Sequence, residues 1–298
     1  MSQTSNELEI DRPFERIAIL GLGLLGGSVA LAARERGLAN WVVGAGRRPG
    51  PLEFAMDRGI VDEIGDVKSA VREADLVLLA TPISTMAAVL KEVSPHLAEG
   101  VIVTDVGSVK GGVAATLPSL LPAGACFIGS HPMAGSHLKG VEHARANLFE
   151  QACCVITPLP QTPETAVERL KHFWRTLGAR VLEREPGAHD DQSAWISHAP
   201  HALAFAFAHA LGESPPETGE MAGSGFRDFT RIARSDAELW GDILSANRIS
   251  LAAPLEAFGQ SLSELARAIE EGDANKVERF LASAGERLSK VESASKDD

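Results

Sequence analysis

The chain has 298 residues, 45% hydrophobic and 23% charged, with 28 lysines and arginines against 40 acidic residues and a formal net charge of −12. At roughly 150 residues per domain this length allows one large or two ordinary domains, and such acidity without a Lys/Arg stripe excludes general nucleic-acid binding, which depends on clustered cations. There is no tyrosine, so dehydrogenase classes that use a tyrosine hydroxyl as proton donor, the Tyr-Lys short-chain dehydrogenases and the aldo-keto reductases, are excluded as well.

Residues 1–15 read as a flexible segment, and their polar, acidic start MSQTSNELEIDRPFER lacks the basic and apolar regions of a signal peptide. No apolar run approaches the ~18 residues of a membrane span. Cys126, Cys153 and Cys154 match neither a disulfide framework nor a zinc spacing. The expectation is a cytoplasmic protein with no membrane or nucleic-acid partner and no metal.

From Arg16 the sequence alternates short apolar runs with longer Ala/Leu/Glu/Arg-rich stretches. The runs are Arg16–Leu20, Trp41–Gly44, Leu76–Ala80, Val101–Asp105, Cys126–Gly129, Cys153–Thr157 and Ala179–Leu182. Continuous apolar strands separated by helices are what a parallel sheet buried on both faces requires. After Pro186 the strand signals stop, and helices are expected at Ala188–Leu211, Ser235–Leu244, Ala246–Glu271 and Ala274–Val291. The predicted fold is α/β: a Rossmann-type doubly wound sheet over 16–186, followed by an all-α domain over 187–298. Ile249, Leu255, Phe258, Leu262, Leu265 and Ile269 recur at helical spacing and form a broad apolar face, which predicts a homodimer packed through the C-terminal helices.

The first strand runs directly into GLGLLGGS, where Gly21, Gly23 and Gly26 form G-x-G-x-x-G ahead of a helix. The first glycine allows the tight turn, the second lets backbone approach a pyrophosphate, and the third allows close helix–strand packing. A dinucleotide site is predicted at Gly21, Leu22, Gly23, Leu24, Leu25 and Gly26. An NAD-preferring site places a carboxylate ~20 residues further on, to bond the ribose hydroxyls. Here Gly46 stands at that point, followed by Arg47 and Arg48, a pattern that suits a 2′-phosphate and favours NADP over NAD. If the arginines are ordinary surface charge, NAD remains the cofactor. Thr81, Pro82 and Gly107 are further candidates for cofactor contact.

Two segments sit where strands of such a sheet end: Asp105–Lys110 (DVGSVK) and Gly129–Gly140 (GSHPMAGSHLKG). A hydroxyl at Ser108 and an imidazole at His131, each just past a strand, can converge beside the nicotinamide. Alone, a histidine before proline reads as a loop or core residue.

Taken together, GLGLLGGS, ATPIS, DVGSVK, SHPMAG, ANLFE…CVITP, HDDQSAWISHAPH and GFRDFTRIARSDAELW resemble, in order and spacing, the prephenate/arogenate dehydrogenases of tyrosine biosynthesis, over residues 16–290. The resemblance implies an oxidative decarboxylation of a cyclohexadienol with hydride transfer to NAD(P)+, His131 accepting the proton of the ring hydroxyl and Ser108 orienting that imidazole. It implies a substrate arginine at Arg231 and a substrate-pocket histidine at His201, with His198 one helical turn away. Read without it, His198 and His201 are a helical pair packed in an interface, and Arg231 is surface charge. Many prephenate-specific members carry Thr-Glu where this chain has Ser136 and His137. That departure touches the side-chain end of the substrate and leaves arogenate, or both substrates, as the alternative to prephenate.

Overall fold

The computed structural model describes residues 14–135 and 138–293. One sheet of eight strands runs in the order β3-β2-β1-β4-β5-β6-β7-β8. The strands are β1 (Phe14–Leu20), β2 (Ala39–Ala45), β3 (Glu63–Gly65), β4 (Leu76–Leu79), β5 (Ile102–Asp105), β6 (Cys126–Pro132), β7 (Cys153–Thr157) and β8 (Arg180–Glu183). Helices α1 (Leu24–Glu35), α2 (Pro49–Asp57), α3 (Val67–Ala70), α4 (Ile83–Val93) and α5 (Gly111–Thr116) connect the first six strands, and α6 (Glu164–Thr176) joins β7 to β8. Phe14 and Glu15, within the expected N-terminal segment, belong to β1; residues 1–13 lie outside the described residues.

The unbroken apolar runs are explained by burial on two faces. Ile17, Ile19, Leu76 and Leu78 join one core cluster with Val29, Phe149, Phe173 and Trp174. Their neighbours Ala18, Leu20, Val77 and Leu79 join a second cluster with Val43, Leu90 and Val103. Alternate residues of a strand point to opposite faces, so both sets must be apolar.

Two features depart from the sequence reading. β3 has no apolar run, because it is a three-residue edge strand that, among the described residues, pairs only with β2. β7 runs antiparallel to β6, whereas the other neighbouring pairs are parallel. A parallel pair needs a crossover, usually a helix, and between β6 and β7 the described residues hold only the short 3-10 turn Val141–His143.

The expected single helix over 188–211 is three pieces: α7 (Pro186–Ser193), a π-helical turn (Ala194–His198) and α8 (Ala199–Ala210). Pro200 has no N–H for the carbonyl four residues back and its ring crowds that carbonyl, so the chain widens just before it. Beyond α8 come α9 (Ser224–Thr230) and α10 (Ala237–Ala246). Asp242 Oδ2 accepts from Ser84 N at the start of α4 at 3.1 Å, which docks α10 beside the sheet's helices.

By its contacts the chain forms two compact units, residues 1–248 and 249–298. The second contains most of α11 (Arg248–Glu270) and all of α12 (Ala274–Ser293). These turn on Gly272, at φ +67°, and an apolar groove of about 590 Å3 is lined by Ala268, Ile269, Val277, Leu281 and Ala282. No helix among the described residues is long and apolar enough to cross a membrane.

A buried polar cluster ties β5 to β6. Lys110, fully buried, forms an ion pair with Asp105 and donates to the Ser130 carbonyl at 2.8 Å. Asp105 also accepts from Ser130 N at 3.1 Å and Gly107 N at 2.8 Å. The Ser130 hydroxyl meets Thr104 Oγ1 at 2.8 Å and accepts from Trp174 Nε1 at 3.0 Å. Burial drives the Lys110 ammonium below the usual lysine value, against the pull of the Asp105 carboxylate. Lys110→Met strands Asp105 in the core without its cation. It is expected to lower the unfolding free energy by about 3–5 kcal/mol, seen as a lower urea midpoint at unchanged m-value.

Candidate functional site

The carboxyl ends of β1, β4, β5 and β6 lie along one edge of the sheet. Strand order reverses between β1 and β4, and a doubly wound sheet opens a ligand crevice at such a reversal.

The glycine turn occupies that crevice. Gly21 sits at φ +110°, and a Cβ there would lie 2.5 Å from the Ala80 carbonyl oxygen. A Cβ on Gly26 would lie 2.2 Å from the Gly21 oxygen and 3.1 Å from Ile19 Cγ2, so α1 reaches β1 this closely only with glycine. At Gly23 a Cβ would meet nothing within 4 Å, and Gly23 caps α1 with no side-chain hydrogen bond. Free backbone donors under open space fit a pyrophosphate. Leu22 is buried in the core, with Leu24 and Leu25 partly buried against the same cluster. Thr81 and Pro82 follow β4 beside Gly21, whose Cβ would be 3.2 Å from Thr81 N. Gly107 is occupied with Asp105, as described above. Arg47 and Arg48 stand exposed just after β2, Arg48 as the N-cap residue of α2. A Cβ at Gly46 would find only Leu52 Cδ2, at 3.8 Å.

His131 lies in β6 and is 5% exposed. Its hydrogen-bond partner is His189 rather than Ser108: His131 Nδ1 and His189 Nε2 are 2.8 Å apart. His189 Nδ1 is in turn 2.8 Å from Asp190 Oδ1. Asp190 also accepts from Lys110 N and Gly111 N, each at 2.7 Å, so α7 clamps the loop carrying Ser108. Burial pushes the His131 imidazole well below the usual histidine value, and the charged forms of His189, Lys110 and His198 push the same way.

His198, fully buried, pairs through Nδ1 with Asn247 Nδ2 at 2.8 Å, and the same amide donates to the Asp190 carbonyl at 2.9 Å. Burial lowers the His198 pKa to about 4, opposed chiefly by the Asp190 carboxylate. His201 is half-buried, donates Nδ1–H to the Ser197 carbonyl at 2.9 Å and stacks on Trp240 with centroids 3.6 Å apart. Its pKa is lowered first by burial and then by the Arg231 guanidinium, with the Ser197 carbonyl opposing. Arg231 itself is exposed.

The fold therefore joins His131, His198, His201 and Arg231 through adjoining contacts and electrostatic interactions, with Ser108 entering through its backbone at His198, and leaves Arg47 and Arg48 after β2, on the other side of β1 from β4. Ser136 and His137 lie outside the described residues. Lys110, His189, Asp190, Trp240 and Asn247 had no role in the sequence reading. His189 and Asp190 had one local signal, the cluster of polar residues in HDDQS at the start of an otherwise apolar helical run, and Lys110 and Trp240 close the segments DVGSVK and GFRDFTRIARSDAELW. Among the described residues no cluster of three or more metal-ligating side chains occurs.

Two family models match the chain: "Prephenate dehydrogenase, nucleotide-binding domain" over residues 29–183 and "Prephenate dehydrogenase, dimerization domain" over 185–283. The first match begins beyond the glycine turn, so the geometry of that turn is an independent observation. A prephenate dehydrogenase of Bacillus subtilis is 34% identical over 275 residues, covering 91% of this chain and 74% of the relative. A cyclohexadienyl dehydrogenase of Zymomonas mobilis is 36% identical over 286 residues, covering 92% and 96%. The crystal structure of prephenate dehydrogenase from A. aeolicus in complex with hydroxyphenyl propionate and NAD+ superposes with a TM-score of 0.87 at 32% identity, covering 94% of this chain and 99% of that one.

A histidine with a folded pKa below its unfolded value of 6.5 stabilises the fold fully above that pH, because the unfolded chain binds the proton first. For His198 the contribution is lost as pH falls from 6.5 through about 4. Wild type is expected to lose about 3 kcal/mol more stability than His198→Gln over that interval, measured by urea unfolding at each pH.

Proposed function

The chain belongs to the prephenate dehydrogenase family, and on that premise we propose that it oxidises and decarboxylates prephenate to 4-hydroxyphenylpyruvate in tyrosine biosynthesis, as an NAD(P)-dependent oxidoreductase. The observation that carries this reading is the buried imidazole of His131 at the crevice edge, held by a hydrogen bond and kept neutral by its surroundings.

The bound nicotinamide supplies the hydride acceptor for C4 of the ring. His131 accepts the proton of the C4 hydroxyl as the carbonyl forms; loss of the ring carboxylate as CO2 then sends its bonding pair through the ring to that oxygen, which takes back a proton to give the aromatic phenol. A neutral imidazole suits this step, since only the unprotonated ring can accept. We assign Ser108, on the loop clamped by Asp190, to contact with substrate or nicotinamide. Arg231 receives a substrate carboxylate, which a planar guanidinium can hold with two parallel hydrogen bonds. His201, fixed against Trp240, lines the pocket beside it, and Ser136 and His137 meet the side-chain end of the substrate. Much of the driving force comes from aromatisation, so the protein's main task is to position the substrate and exclude water.

The turn Gly21–Gly26 holds the pyrophosphate on the first N–H groups of α1, with Thr81, Pro82 and Gly107 along the cofactor. We assign NADP as the preferred cofactor because Gly46 brings no carboxylate and Arg47 and Arg48 stand free at the end of β2. We divide the chain into residues 1–15 as a leading segment, 16–186 binding the dinucleotide and 187–298 supplying substrate contacts and a homodimer interface, a division supported by the family matches over 29–183 and 185–283. The exposed Ile249, Leu262, Ile269, Leu281 and Leu288 support that interface. The unpaired state of Cys126, Cys153 and Cys154 supports a cytoplasmic setting. A dual-specificity cyclohexadienyl dehydrogenase, which also accepts arogenate, is the second reading. It is favoured by the Zymomonas relative.

Nicotinamide reduction with prephenate and with arogenate, each paired with NAD+ and NADP+, tests the assignment. Prephenate with NADP+ is expected to give the highest kcat/KM, and no reduction with either substrate would remove the catalytic reading. His131→Asn is expected to lower kcat by about 10²–10⁴-fold with cofactor affinity retained. Because burial depresses its pKa, the acid limb of kcat/KM assigned to His131 should have its midpoint below pH 6.5. Gly23→Val should weaken cofactor binding by about tenfold or more, since only ligand space is filled there, with little change in Tm. Arg231→Lys should raise KM for prephenate more than it lowers kcat.

A further inference from the structure

Behind His131 lies a second histidine and a carboxylate, all three buried, outside the residues assigned above to cofactor or substrate. Asp190 fixes the direction of every hydrogen bond in this line. Its Oδ1 accepts from Lys110 N at 2.7 Å and its Oδ2 from Gly111 N at 2.7 Å. Both oxygens are thus engaged as acceptors by backbone donors. His189 Nδ1, 2.8 Å from Oδ1, must therefore carry a proton, because a bare nitrogen there would set lone pair against lone pair. With that proton on Nδ1, a neutral His189 has its lone pair on Nε2. Two groups approach that nitrogen, His131 Nδ1 at 2.8 Å and Ser193 Oγ at 3.3 Å, and both can donate. The two rings meet edge-on, with an interplanar angle of 71°.

We propose that His189, held by Asp190, is the positioning residue that places the His131 proton on Nδ1 and so leaves Nε2 as the acceptor. The proposal rests on the reading of His131 as base and deepens it. In the opposite tautomer the ring would present N–H to the substrate hydroxyl, and it could not take a proton there. When Nε2 accepts the hydroxyl proton, Nδ1 keeps its own, and the resulting imidazolium donates to His189 Nε2 with the Asp190 carboxylate behind it. A carboxylate that orients a histidine and fixes its tautomer is a known arrangement in hydrolases; here a second imidazole stands between the two.

Nitrogen-15 NMR of the full-length protein, labelled at histidine and measured without substrate, reads the tautomer directly. His131 is assigned by comparison with His131→Asn. Wild type is expected to show a protonated Nδ1 and a bare Nε2 on His131, with a neutral His189 protonated at Nδ1. His189→Leu should lose that preference and lower kcat by at least about 10²-fold while cofactor affinity stays within a few-fold. His189→Gln, whose side-chain carbonyl can accept the same hydrogen bond, should keep the tautomer and recover most of kcat. A wild-type His131 protonated at Nε2, a doubly protonated His189, or an unchanged tautomer in His189→Leu would overturn the proposal. Should His189→Leu fail to fold, the wild-type and His189→Gln spectra still decide. A correct tautomer in a protein that turns over neither prephenate nor arogenate would instead refute the base assignment and leave the positioning role intact.

Discussion

Taking Lys110, Asp105 and Asp190 out of water obliges the chain to satisfy each of them, and the arrangement at the carboxyl edge of the sheet follows from how it does so. The Lys110 ammonium is held between the Asp105 carboxylate and the Ser130 carbonyl, which locks the end of β5 to β6. Its backbone N–H is held by Asp190 from α7. One residue therefore carries two constraints, its side chain joining strand to strand and its main chain joining the sheet to the helices that follow. The loop with Ser108 lies between those two anchors. His131 is the residue after Ser130, so the pairing that satisfies the buried ammonium also sets where the imidazole sits.

The helical side is organised by a comparable local constraint. Pro200 cannot complete an α-helical hydrogen bond, and the π-helical turn before it buries His198 while Trp195 and Ile196 face outward. The Asn247 amide then bonds both His198 and the Asp190 carbonyl. Trp240 stacks on His201 one turn further along.

Much of the fold was legible because its signals are local. Unbroken apolar runs reported strands buried on both faces, and the glycine turn was readable because each glycine answers a constraint met within a few residues or at the neighbouring strand end. β3 was invisible, since an edge strand of Glu63, Ile64 and Gly65 has no apolar run to display. The direction of β7 was equally hidden, because an antiparallel strand buried between neighbours has the same composition as a parallel one. At the site, His131 could be singled out from its place after a strand and from the family pattern. Its partner could not. His189 is 58 residues away in sequence, Asp190 is 80 residues from Lys110, and Asn247 is 49 residues from His198, distances at which no spacing rule applies.

From length, composition and charge the chain was an acidic sequence without tyrosine, with room for two domains and with an acid–base group that had to be something other than a phenol. Those conclusions hold whatever the fold, because they concern which side chains exist. Motifs added a phosphate turn, because a strand, three glycines and a helix N-terminus are contiguous in the chain. Which imidazole nitrogen meets which partner is a different kind of fact. It depends on a carboxylate from α7 reaching the loop after β5 and on a second histidine reaching β6, and only folding brings those segments together.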